Sequence, residues 1–128
     1  MLWKICPLPV HRDPTGALSV LELGEQAPFE VRRIFWVHSV GDSNVVRGRH
    51  AHRDLQQLIV ACSGSCILLL EDDDERKEEV TLSKDGPYVL VAGPAWRTMT
   101  NFSADCSLLV LCDREYKYDE VIRSRGNK

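Results

Sequence analysis

No apolar run in this 128-residue chain approaches the roughly 20 residues a membrane helix requires, so no membrane association is expected. The opening residues, Met1-Leu2-Trp3-Lys4-Ile5-Cys6, lack the charged start and long apolar core of a secretory signal. Positive charge is not in excess either. Against 19 Asp and Glu stand 16 Lys and Arg, and the net charge of -3 argues against nucleic acid as a general partner. No C-x-x-C pair occurs among the five cysteines, Cys6, Cys62, Cys66, Cys106 and Cys112. Most of them lie in apolar strand-like runs such as Cys106-Ser107-Leu108-Leu109-Val110-Leu111-Cys112. Their odd number and setting predict buried, reduced thiols and a cytoplasmic protein rather than a disulfide scaffold. Internal repeats, low-complexity segments and long amphipathic helices are also missing.

What is present fits a single domain over residues 1–128, with 44% hydrophobic and 27% charged residues, ordinary for a soluble globular protein. Leu2–Cys6 reads as a short strand ended by Pro7 and Pro9, and Asp13-Pro14-Thr15-Gly16 as a turn before a strand over Ala17–Glu22. Phe29–Val40 carries Val31, Ile34, Phe35, Trp36 and Val37, a pattern suited to a strand buried on both faces for part of its length. Leu58–Cys62 and Ser65–Leu70 flank Ser63-Gly64 as a β-hairpin would. The charged stretch Glu71–Glu79 reads as a solvated hairpin loop. Further strands are expected over Val80–Leu82, Tyr88–Val91, Trp96–Thr100 and Leu108–Cys112, then a charged tail from Arg114 with one short helical turn. About ten short strands separated by turns predict an all-β fold, a sandwich or a jelly-roll barrel.

The chemistry concentrates in Arg47-Gly48-Arg49-His50-Ala51-His52-Arg53, inside an expected strand. Alternate strand residues share a face, so His50 and His52 should project together with Val46 and Gly48, while Arg47, Arg49 and Arg53 face away. Paired imidazoles suit metal ligation or proton transfer. A metal site usually takes three protein ligands. The nearby Gln56 and Gln57 are weak ligands, Gly93-Pro94-Ala95-Trp96-Arg97 offers no histidine, and His11 and His38 fall in an expected loop and at a strand end. Proton transfer is therefore favoured, since an imidazole with a pKa near 6.5 is matched to neutral pH.

Arg47, Gly48, His50, Ala51, His52, Arg53 and Gln57 together resemble the Arg-Gly-x-His-Ala-His-(Arg/Lys)-x-x-x-Gln signature of the sugar-nucleotide 3,4-ketoisomerases, cupins acting on dTDP-4-keto-6-deoxyglucose. The resemblance extends through Pro28–Phe35, Ser63-Gly64-Ser65, Trp96-Arg97, Phe102-Ser103, Leu108–Leu111 and Ile122-Arg123. It implies a cupin-type jelly-roll barrel and a dTDP-linked keto-sugar as partner. The keto group would move from C4 to C3 through an enediol, with no cofactor and no metal. It places the catalytic pair on His50 and His52, either of which is the base, and sugar or diphosphate contacts on Arg47, Gln57, Trp36 and Arg97. For Arg47 a structural ion pair or dimer contact is an equal alternative. The resemblance also implies a homodimer, with Leu2–Cys6 available for exchange with a neighbour's sheet edge.

Some positions depart from the pattern. Thr15 stands where the family turn carries an arginine, Trp36 and Val121 where tyrosines are usual, and Thr98 where a glutamate is common. These changes open a second reading, a catalytically altered or silent cupin that binds a nucleotide-linked sugar. A two-histidine metal cupin with oxidative or hydrolytic chemistry is the third.

Overall fold

Residues 2–123 are described by a computed structural model, and they form twelve strands and one short 3-10 turn. Two five-stranded antiparallel sheets hold most of them. The first sheet runs β1 (Trp3–Cys6), β9 (Tyr88–Ala92), β6 (Gln56–Ser63), β11 (Ser107–Cys112) and β4 (Arg33–Val37). The second runs β12 (Val121–Ile122), β5 (Arg47–His52), β10 (Trp96–Thr100), β7 (Ser65–Glu71) and β8 (Lys77–Ser83). A separate hairpin joins β2 (Val10–Asp13) to β3 (Gly16–Ser19). The fold is all-β and of the cupin jelly-roll type. Its two sheets are not closed into one continuous ring, so "barrel" describes it only loosely.

Strand periodicity builds the core. Ile59 and Ala61 on β6, Val89 and Val91 on β9, and Leu108 and Val110 on β11 are buried in one cluster with Leu68 and Leu70 on β7, Val80 and Leu82 on β8, and Met99 on β10. The opposite face of the first sheet is apolar as well. Leu58, Val60, Leu111, Tyr88 and Cys6 pack with Ala27, and Leu21, Phe29 and Val31 lie against them. This second cluster explains the unbroken run Leu58-Ile59-Val60-Ala61, whose strand is covered on both sides.

Four cysteines are buried and Cys62 is exposed, all as free thiols. The charged stretch forms the expected turn between β7 and β8, where the Asp72 carboxylate accepts from the backbone N–H groups of Asp74 (2.9 Å) and Arg76 (3.0 Å). The ladder reaches further into it than the composition suggested, pairing Glu79 with Leu69.

Three expectations need correction. β6 and β7 do not pair as a hairpin; they belong to different sheets, and the chain turns the corner between them at Gly64. That residue has φ +61, and a Cβ there would lie 2.6 Å from the Cys106 backbone nitrogen. The strand expected across Phe29–Val40 is confined to β4, an edge strand with Ile34 and Trp36 exposed, because no element covers that margin of the outer face. His11 lies in β2, not in a loop. β1 pairs with β9 of its own chain, Trp3 opposite Val91. The tail forms its helical turn at Tyr118–Glu120 and then adds β12 to the second sheet; the expected continuation over 124–128 lies outside the described residues.

Candidate active site

β5 is the strand that carries the histidines, and it is not regular. Gly48 and Arg49 both have positive φ, +80 and +53, and the register against β10 shifts there. Arg47 lies opposite Met99, Gly48 opposite Thr98, and His50 opposite Arg97, which leaves Arg49 as the extra, bulged residue. Only a glycine fits at the first of these positions: a Cβ on Gly48 would stand 2.8 Å from the Arg97 carbonyl oxygen. The bulge overturns the simple parity expected from sequence. Directly paired residues share a face, so Arg47 shares the register of Met99 and Arg97, the face that His50 also takes, while Gly48 does not.

Beyond the bulge the two histidines come together as expected. Their ring centroids are 4.7 Å apart in an edge-to-face arrangement at 88°. His50 is half-buried and His52 is buried. β12 fixes this end of the strand by pairing Val121 with His52 and Ile122 with Ala51.

Beneath the pair lies Arg97, fully buried at 0% exposure. Its Nη1 donates to Gln57 Oε1 (2.5 Å), its Nη2 to the Gly93 and Ala95 carbonyls (2.8 and 2.9 Å), and its Nε to Ala95 (3.2 Å). Gln57, also buried, donates from Nε2 to Cys112 Sγ (3.5 Å). No carboxylate forms an ion pair with Arg97 among the described residues. Burial lowers its pKa to about 10, so it keeps its charge at neutral pH. Both residues are thus held within the protein, and neither lines the open cleft described below.

Burial first, and this cation after it, lower the pKa of both histidines. Burial pulls the His52 pKa down to about 3, with the positive charge of Arg97 acting in the same direction, followed by His50, Arg33 and Arg123. His50 is also lowered by burial, partly opposed by a backbone hydrogen bond at Gly48. Both imidazoles are neutral near pH 7. His52 Nε2 is buried with no hydrogen-bond partner among the described residues. A buried polar nitrogen is costly to leave unpaired, and at a functional site this marks where a ligand atom would sit.

The histidines open on a cleft of about 430 Å³ lined by Gly48, Arg49, His50, His52, Tyr116, Val121 and Arg123. A smaller hollow behind His52 is bounded by Arg33 and again by Tyr116. The Arg33 guanidinium lies 4.7 Å from the Phe35 ring centroid and 5.2 Å from that of Tyr116. Despite the net charge of -3, guanidinium groups therefore concentrate around this one opening. Arg47 is exposed at the start of β5 and forms no ion pair with the described residues.

Trp36 is not brought to this cleft. It is 59% exposed on β4, where Arg33, Phe35 and Val37 alternate with it and are less exposed. Thr15 sits at the tip of the β2–β3 turn, hydrogen-bonded to the Asp13 carboxylate. Sequence reasoning missed Arg33 and Tyr116 as lining residues, and Arg123 entered only as part of a resemblance. The available signals were the alternation Arg33, Phe35, Val37 and the aromatic pair Tyr116 and Tyr118 in an otherwise charged tail. Among the described residues, no group of three or more His, Cys, Asp or Glu side chains is placed to hold a metal ion.

A family model described as FdtA, WxcM-like, C-terminal, matches residues 1–127. A TDP-4-oxo-6-deoxy-alpha-D-glucose-3,4-oxoisomerase of Aneurinibacillus thermoaerophilus is 37% identical over 117 residues, covering 90% of this chain and 81% of its own. Among solved structures, the TDP-quinovose 3,4-ketoisomerase WlaRB of Campylobacter jejuni superposes with a TM-score of 0.85 at 35% identity, covering 95% of this chain and 92% of that one. A mutant of the 3,4-ketoisomerase QdtA of Thermoanaerobacterium thermosaccharolyticum, solved in complex with TDP-4-keto-6-deoxyglucose, gives a TM-score of 0.87 at 25% identity over 95% and 87% of the two chains.

Proposed function

The chain belongs to the FdtA family of WxcM-like C-terminal domains, and from that membership we propose that it is a sugar-nucleotide 3,4-ketoisomerase. Its substrate is a dTDP-linked 4-keto-6-deoxyhexose, and its product is the 3-keto isomer, for deoxysugar biosynthesis. The observation that carries this reading is the pair of neutral imidazoles over a buried guanidinium, with His52 Nε2 lacking a partner.

The reaction moves hydrogen and unsaturation within one molecule: C3 is oxidised, C4 is reduced, and no external electron acceptor is required. Proton removal from C3 is aided by the adjacent carbonyl and leaves charge on the C4 oxygen. Of the two histidines, His50 is the better base. It opens on the cleft, whereas a pKa of about 3 makes His52 a poor proton acceptor near pH 7. His52 is suited to hydrogen-bond the substrate oxygen through Nε2, as a neutral imidazole kept from charging by burial and then by Arg97. The fixed charge of Arg97 also favours an enediolate nearby, since it is held in place before the reaction and sits where the local dielectric is low. Gln57 holds Arg97, so both act on the reaction as positioning groups.

In this reading Arg47, exposed at the start of β5, meets the diphosphate by charge, and Arg49 and Arg123 on the cleft wall support an anionic ligand. Trp36, on the uncovered margin of β4 beside Ile34, is better suited to a contact with a second copy, and a homodimer is part of this reading. A cytoplasmic location accords with five free thiols.

Incubation with dTDP-4-keto-6-deoxyglucose, followed by NMR of the sugar ring, tests the assignment. The 3-keto isomer should accumulate. Tight dTDP binding without turnover would support the silent binder instead, and the lack of both would discard either reading.

A further inference from the structure

We propose that Tyr116 is a catalytic residue of this site: its phenol exchanges protons with the sugar oxygens while His50 handles the carbon-bound proton. This rests on the ketoisomerase reading above. Of the three tyrosines, Tyr88 is buried in the cluster on the outer face of the first sheet, and the Tyr118 ring is capped by the Arg123 guanidinium 3.7 Å from its centroid. Tyr116 is the tyrosine on the wall of the histidine cleft, and it also bounds the small hollow behind His52.

Its hydroxyl is oriented. Arg123 Nη2 donates to the Tyr116 phenolic oxygen at 3.0 Å, while Arg123 Nη1 is held by the Tyr118 and Val121 carbonyls at 3.1 and 3.4 Å. An oxygen that already accepts from a guanidinium has its own proton left to give. That proton has no acceptor among the described residues. Arg123 is in turn fixed because β12 pairs with the histidine strand itself, so phenol and imidazoles are set by one piece of sheet.

The proton count closes. His50 takes the C3 proton as the Tyr116 O–H donates to the C4 oxygen, which gives the neutral enediol, a phenolate and an imidazolium. The phenolate then takes the C3 hydroxyl proton while the imidazolium returns its proton to C4. The C3 carbonyl forms, the C4–H bond forms, and both side chains regain their starting states.

The test is steady-state kinetics of Tyr116→Phe beside the wild-type protein, with dTDP-4-keto-6-deoxyglucose as substrate. The ring is half exposed, so its hydroxyl can be removed without disturbing the core. The expected result is a kcat at least about 100-fold lower, the usual size of one acid–base contribution, with KM within about threefold and an unchanged thermal midpoint. A variant whose kcat stays within about threefold of a working wild type overturns the role of Tyr116 and leaves the ketoisomerase reading intact. A wild type with no turnover removes both.

Discussion

His52 is a neutral imidazole because its burial disfavours the charged form, and because protonation would put a second positive charge beside Arg97. The same cause makes stability depend on pH. Between the ordinary value of 6.5 and the folded value of about 3, the unfolded chain holds a proton that folded His52 does not. Acid therefore favours unfolding: the contribution is complete above pH 6.5 and is lost progressively as pH falls through that window. At pH 5 the loss amounts to roughly 2 kcal/mol from this residue. Thermal unfolding should show a midpoint several degrees lower at pH 5 than at pH 7, and His52→Asn should flatten that dependence. An equally steep slope in the variant would assign it to other groups. A second consequence concerns the cation below. Gln57→Leu removes the oxygen that Arg97 Nη1 bonds at 2.5 Å, leaving a buried charge short of one partner. The expected cost is about 1–3 kcal/mol, read as a lower denaturation midpoint, with kcat falling as Arg97 loses its position.

At the scale of the strand, the bulge at Gly48–Arg49 sets where the histidines point. Gly48→Ala forces a Cβ against the Arg97 carbonyl at a residue with φ +80. It should cost about 1–3 kcal/mol in chemical denaturation and reduce kcat, because the strain is relieved only by moving β5 against β10. Full activity in this variant would show that His50 does not depend on the bulge. This element also marks how far the sequence could be read. Two histidines separated by one residue in a polar-flanked strand made the shared face legible, and the rings do meet. The bulge was not legible, since a glycine in a strand signals irregularity without saying which neighbour becomes the extra residue. Gly64 misled for a similar reason. Two apolar runs around Ser63-Gly64 look alike whether they pair with each other or turn a corner into opposite sheets, and only tertiary packing decides. The lining by Arg33 and Tyr116 was hidden because distant strands and the tail meet there, a matter of topology rather than local pattern.

At the scale of the molecule, the all-β class was legible because short apolar strands and turn residues recur throughout. The two-layer arrangement follows from one apolar face of each sheet closing on a shared core, while Leu21, Ala27, Phe29 and Val31 cover the outer face of the first sheet. One margin stays uncovered, where Ile34 and Trp36 are 51% and 59% exposed on an edge strand. Edge strands with exposed apolar side chains invite pairing. Light scattering at micromolar concentration should give the mass of a dimer, and Trp36→Glu should shift it toward the monomer; a monomeric wild type would refute the homodimer. The central claim is that this fold brings His50 and His52 together to move a proton on a nucleotide-linked keto-sugar. Its most direct test is deuterium incorporation from heavy water at C3 of dTDP-4-keto-6-deoxyglucose, comparing wild type with the His50→Asn, His52→Asn double variant. The account predicts rapid incorporation by the wild type and none above the buffer rate by the variant. Equal rates in the two proteins would contradict it.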